Sequence, residues 1–173
     1  AISFNEEHSP FNWVDLFAAG PATIVSWTSS YSESGVLGEP ELATAVSCAL
    51  ADWLAGEGYT VVCPDLFWRQ EPGVELGTSE AERPRAIALY QGFDLEAGLA
   101  DIAATIGTLR KRPEQMGKVG ILGHTFGGTL AYLAAARTDV DCAVSYYGVG
   151  VDQHLGEARR IHCPMVMHIA GSD

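Results

Sequence analysis

The sequence predicts an α/β fold, a mostly parallel sheet with helices on both faces, and three observations predict it. Five short segments, 22–26, 59–63, 118–122, 142–146 and 164–169, are rich in apolar and β-branched residues, the composition of buried parallel strands. The longer stretches between them repeat apolar residues at three- and four-residue steps, the spacing of a helix with one buried face. The chain has 173 residues, 47% hydrophobic and 18% charged, which suits one domain with its own core. Strands that alternate with helices pair in parallel, and the connecting helices cover both faces of the sheet.

Each element has a local reason. The first twenty residues carry Phe4, Phe11, Trp13 and Phe17, a content that permits a strand pair before the first clear strand at 22–26. A helix is predicted over 41–55, where Leu42, Ala45, Val46, Ala49, Leu50, Trp53 and Leu54 form one stripe. Pro40 suits its first turn, and Gly56 and Gly58 stop it. After the strand at 59–63, residues 67–84 read as a long irregular stretch, with Pro72, Gly73, Gly77 and Pro84. The second helix, 93–109, aligns Leu95, Leu99, Ile102, Ala103, Ile106 and Leu109. It ends in Arg110, Lys111 and Arg112, which complement the helix dipole, before Pro113. A third helix over 126–137 is rich in Gly and Ala, so it should pack closely on the sheet between the strands at 118–122 and 142–146.

Composition excludes several functions. Twenty-two acids against ten bases, a net charge of −12, oppose nucleic-acid binding, which needs clustered Lys and Arg. No apolar run reaches the roughly 20 residues of a membrane span, and the residues after Ala1 do not read as a signal peptide. Cys48, Cys63, Cys142 and Cys163 are scattered in apolar contexts. They read as reduced thiols packed as small hydrophobes, which fits a cytoplasmic protein. The histidines show no metal-ligand spacing, so no metal is expected.

The chemistry lies in the run from Lys118 to Ala131, which reads strand, Gly-x-Thr-x-Gly, helix. This is the layout of a nucleophile elbow, a sharp strand-to-helix turn that lifts one side chain above the sheet. Thr125 holds that position between Gly123 and Gly127. The amide of Phe126, at the helix N-terminus, is the candidate oxyanion donor. The spacing fits neither nucleotide-binding glycine pattern. His124, next in sequence to Thr125, should point away across the turn, and His168 falls within a strand. His8, His154 and His162 read as ordinary solvated or satisfied side chains, and Asp65 as part of a Pro-Asp-Leu turn.

From about residue 51 to 173 the sequence resembles the dienelactone hydrolases (carboxymethylenebutenolidases) of the α/β-hydrolase superfamily. The resemblance is carried by Gly58 to Leu66, Arg69 to Gly73, Gly92 to Gly98, the elbow, and Tyr146 to Gly150. It implies an α/β-hydrolase sheet and hydrolysis of a small ester or lactone without a cofactor. The nucleophile, Cys or Ser in that family, falls on Thr125, and the triad acid on Asp173. The family's His would lie after the last residue, so the resemblance implies one α/β-hydrolase domain over 1–173 whose C-terminal part is missing. Arg83, with Arg85 close by, falls where the family binds a substrate carboxylate. Glu33, or next Glu39, is the candidate for a Glu that interacts with the nucleophile, and the loop 27–35 should supply a second oxyanion amide. Of Tyr146 and Tyr147, one should line the pocket and the other pack. Tyr147 is the substrate-side candidate, and Trp68 and Tyr90 are candidates for an apolar wall. The alternative is a catalytically impaired member of the family acting as a ligand-binding or protein-interaction domain.

Overall fold

The computed structural model describes residues 23–28, 50–74, 76, 80–111 and 117–171. Five strands form one sheet: β1 (Thr23–Thr28), β2 (Thr60–Val62), β3 (Val119–His124), β4 (Cys142–Tyr146) and β5 (Met165–His168). Every pairing is parallel, in the order β2-β1-β3-β4-β5. The chain builds outward from β1 on one side and from β3 on the other, so the order reverses between them. In open parallel sheets the crevice at such a reversal, beyond the carboxyl ends of the strands, is where ligands bind. Thr28 and His124 are registered partners at that end.

Helices cover both faces, as the strand-helix alternation requires. On one face Val119, Ile121 and Ala143 pack with Leu99, Ile102 and Ile106 of α3 (Leu95–Arg110) and Leu130 of α4 (Phe126–Arg137). On the other, Leu122, Cys142 and Val144 pack with Leu50 and Leu54 of α1, the helical residues 50–56. The helix expected over 41–55 is described only in this last part. α3 buries Leu99, Ile102, Ile106 and Leu109 of the stripe read from sequence, with Leu95 half-buried and Ala103 exposed, and Asp94 caps it, its Oδ1 accepting from the Ala97 N–H at 3.0 Å. At its other end Arg110 pairs with Asp139 at 3.0 Å and Asp141 at 2.9 Å, fastening α3 to the approach of β4. α4 is buried from Phe126 through Ala136, which explains its Gly and Ala content: only small side chains let a helix lie this close to a sheet. Arg137 ends it, bonded to Glu157 at 2.5 Å and to Glu96 at 2.6 Å.

Two expectations need correction, and one element carried no sequence signal. The irregular stretch 67–84 stops early, because α2 (Arg83–Gln91) begins inside it with Pro84 in its first turn. α2 shows no clear apolar stripe and buries Leu89, so periodicity could not reveal it. A 3₁₀ segment, Val151–Arg160, likewise went unread before β5. Among the thiols, Cys142 is buried and Cys163 half-buried, but Cys63 is exposed at the end of β2 and is not a core residue.

Asp94→Ala removes the α3 cap and should cost about 1 kcal/mol, lowering the melting temperature by about 2–4 °C in a thermal unfolding scan.

Candidate active site

The site begins with a backbone conflict. Thr125 has φ 55° and ψ −119°, a conformation a β-branched residue adopts only when its surroundings impose it. The imposing groups are close. A Cβ on Gly123 would overlap the Gly127 carbonyl, so β3 can turn this tightly into α4 only with glycine there. A Cβ on Gly128 would lie 2.7 Å from the Tyr146 oxygen and 3.0 Å from Gly148 Cα, so the first turn of α4 rests directly on the end of β4. The Thr125 N–H donates to the Tyr146 carbonyl at 3.0 Å. Its own carbonyl accepts from the amides of Gly128 (3.0 Å), Thr129 (3.3 Å) and Val149 (3.2 Å). Residue 125 is thereby held at the carboxyl end of the sheet, beside the reversal in strand order.

Phe126 is the first residue of α4, so its N–H has no carbonyl one turn back within the helix and lies at the positive end of the dipole. That is the position an oxyanion donor needs. The Phe126 ring meets Tyr90 and Phe93 edge-on, each with ring centres 5.0 Å apart, which brings α2 to the elbow. A cavity of about 280 Å³ opens beside these rings, bounded also by Thr129, Val149 and His154. A larger one of about 530 Å³ lies along α3, against Pro64, Trp68 and Thr105, and includes no elbow residue.

Tyr147 is the second strained residue, with φ 37°. Its N–H donates to the His168 carbonyl at 2.6 Å, and its ring, 41% exposed, lies 5.9 Å from that of His124. Beneath it three rings stack across three strands. His124 lies flat on Tyr146 at 4.5 Å and 4°, and Tyr146 on His168 at 4.5 Å and 12°. Burial and the neighbouring His168 push the His124 imidazole down to about 4, so it is neutral at ordinary pH. Burial, and then the Tyr147 phenol, push Tyr146 up to about 12. Ser145, 1% exposed, has a hydroxyl with no hydrogen-bond partner among the described residues; it faces Gly128 under the start of α4.

Of the residues read from sequence, the structure brings Thr125, Phe126 and Tyr147 together at one end of the sheet. Arg83 is exposed at the start of α2, about 10 Å along the helix axis from Tyr90. Arg85, its competitor, is ion-paired with Glu71. Glu33, Glu39 and Asp173, and the loop residues 29–35, lie outside the described residues. Asp65 is a turn residue as expected, its carboxylate taking the amides of Phe67 (3.0 Å) and Gly73 (2.8 Å). Trp68 does not join Tyr90 in a wall: its indole N–H donates to Asp101 at 3.1 Å, and the Arg69 guanidinium, paired with the same carboxylate, lies 4.5 Å over its ring. His124 stacks flat on Tyr146 of the neighbouring strand. The sequence reading missed the stack it joins, although a ring residue ends each of β3, β4 and β5 and would have shown it once the strand ends were aligned. Among the described residues no group of His, Cys, Asp or Glu side chains could hold a metal ion, and no helix is long and apolar enough to cross a membrane.

A parallel sheet covered by helices, with a strained residue projecting from the strand-to-helix turn at the reversal in strand order, defines the α/β-hydrolase class. The dienelactone hydrolase family profile matches residues 43–173, and the chain belongs to that family. It is 45% identical over 122 residues to a carboxymethylenebutenolidase of Pseudomonas putida, an alignment covering 70% of this chain and 52% of the relative. Carboxymethylenebutenolidase 1 of Cupriavidus pinatubonensis is 41% identical over 123 residues, covering 70% and 53%. The chain thus spans about half the length of these relatives. A crystal structure from Klebsiella pneumoniae assigned to the dienelactone hydrolases shares the fold, with a TM-score of 0.57 at 18% identity, over 87% of this chain and 75% of that one.

Gly123→Ala should destabilise by about 3 kcal/mol or more in chemical denaturation, because the added carbon meets backbone and not a movable side chain. A second prediction concerns pH. The folded state resists a proton that an unfolded histidine binds below about 6.5, so unfolded chains take up more protons and stability falls as pH drops from 6.5 toward 4. The His124 contribution should approach about 1.4 kcal/mol per pH unit in that window. Urea denaturation at pH 7 and pH 4.5 should show a smaller loss in His124→Phe than in the parent.

Proposed function

We propose that the chain is the core of a single-domain hydrolase of small esters or lactones, acting through an acyl-enzyme formed at residue 125. The observation that carries this is the strained conformation of Thr125, fixed beside the Phe126 amide at the N-terminus of α4. In the proposed reaction the Thr125 hydroxyl attacks the substrate carbonyl. The Phe126 N–H, with an amide from the loop after β1, holds the oxyanion; the intermediate then collapses with cleavage of the ester or lactone C–O bond, the leaving oxygen taking back the proton from the base, and water hydrolyses the acyl-threonine to restore the hydroxyl. The hydroxyl needs a base to take its proton. His124 makes no hydrogen bond to the Thr125 hydroxyl: its ring is stacked flat on Tyr146, and its buried Nδ1 has no partner among the described residues. We assign the base to a histidine oriented by Asp173, as the family resemblance implies, and the chemistry needs no cofactor.

Tyr147, exposed and strained above the ring stack, would line the acyl pocket, and Glu33 would approach residue 125 from the loop after β1. An anionic substrate is repelled by a protein of charge −12, so a local cation must offset that field, and Arg83 is the candidate. An enol-lactone bearing a carboxylate fits these requirements. The substrate would be a small molecule, with neither nucleic acid nor a membrane as partner, and the unbridged Cys142 and Cys163 support a reducing cytoplasm.

Turnover of a dienelactone and of 4-nitrophenyl acetate by the protein extended past Asp173 to include the histidine assigned as base, and by its Thr125→Ser and Thr125→Ala variants, tests the reading. Thr125→Ala should reduce kcat about 100-fold or more, while Thr125→Ser retains or raises it. An unchanged rate in Thr125→Ala would overturn the nucleophile assignment. Saturable binding of the lactone with no turnover by either the parent or Thr125→Ser would establish the binding-domain alternative instead.

A further inference from the structure

Two consecutive strands end in strained residues, Thr125 after β3 and Tyr147 after β4. Both are held in the same way. The Thr125 N–H donates to the carbonyl of Tyr146 on the next strand, and the Tyr147 N–H to the carbonyl of His168 on the strand after that. The residues that precede or receive these bonds are His124, Tyr146 and His168, registered partners in adjacent pairs across β3, β4 and β5. Their rings form the two flat stacks, each 4.5 Å between centres. Each backbone bond that holds a strained residue therefore lies beside a ring pair that fixes the spacing of the two strand ends it joins.

We infer that His124 is a positioning residue for residue 125: its ring, stacked on Tyr146, keeps the end of β3 against the end of β4 so that the elbow conformation is held. The inference rests on the reading of residue 125 as the reacting position. His124 acts through the face of its ring and not through a nitrogen. Its Nδ1 is buried with no hydrogen-bond partner among the described residues, while the face of the ring is in contact with Tyr146. The depressed affinity of this histidine for a proton agrees, since a neutral ring is the one that stacks in a buried site beside a second histidine. Phenylalanine should replace it; an aliphatic side chain of similar volume should not.

The test needs no turnover. In a Thr125→Cys background the full chain is treated with iodoacetamide at pH 7, and alkylation is followed peptide by peptide by mass spectrometry. The exposed Cys63 is the reference for ordinary reactivity and the buried Cys142, on β4, reports loss of packing. Residue 125 should react faster than Cys63 in this background. Adding His124→Phe should leave its rate within about twofold, and adding His124→Leu should slow it about tenfold as the thiol loses its place at the helix N-terminus, with Cys142 protected in both. Equal rates in the Phe and Leu variants, equal slowing in both, or exposure of Cys142 in the Leu variant would overturn the positioning role alone. A residue-125 thiol no faster than Cys63 before any change at His124 would overturn the reading of the elbow, and this inference with it.

Discussion

The carbonyl of Thr125 is the point on which the site is built. It accepts three amides, from Gly128, Thr129 and Val149, while the same residue's N–H reaches across to Tyr146. These bonds join the end of β3, the start of α4 and the turn after β4 at one peptide. Holding a β-branched residue at positive φ costs of the order of 1–3 kcal/mol, and several hydrogen bonds of about 1 kcal/mol each are enough to offset it. Stacked ring pairs add about 0.5–1.5 kcal/mol apiece beyond their burial. Glycine at 123 and 128 is the steric condition for all of them, since a side chain at either would separate the helix from the strands.

The parts of this arrangement that follow from local sequence were readable, and those that depend on distant partners were not. Ile102 and Ile106 lie on a predicted stripe and are fully buried, because the helical period alone decides which face turns inward. Gly123, Thr125 and Gly127 announce a turn because their spacing encodes its geometry. α2 gave no such signal: it buries one leucine and is placed by the contact of Tyr90 with Phe126, residues far apart in the chain. The ring stack was hidden for the same reason, since it exists only when three strand ends are brought into register. Trp68 shows the reverse error, in which a plausible pocket residue is claimed by a carboxylate on α3.

Electrostatics divide the chain's few cations unevenly. Arg69, Arg85, Arg110 and Arg137 are each bound to one or two carboxylates, and those pairs fasten neighbouring elements. Arg137 and Glu157, both about four-fifths buried, form the most buried of these and join the end of α4 to the 3₁₀ segment that leads to β5. Their mutual bonding raises the affinity of the guanidinium for its proton and lowers that of the carboxylate. Such pairs fix geometry more than they add stability, because the gain is set against desolvation. A protein with twelve more acids than bases thus commits much of its positive charge to architecture.

The strand order carries a kinetic consequence. β1 lies between β2 and β3, and its registered partner in β3 is roughly a hundred residues further along the chain. The centre of the sheet therefore cannot close early. A nascent chain must keep β1 unpaired on one edge until β3 arrives, and loop closure over that distance precedes most of the burial that rewards it. Folding should be slow and exposed to edge-to-edge association, and α4, packed tightly on β3 and β4, is the natural nucleus around which the later half consolidates before β1 is captured.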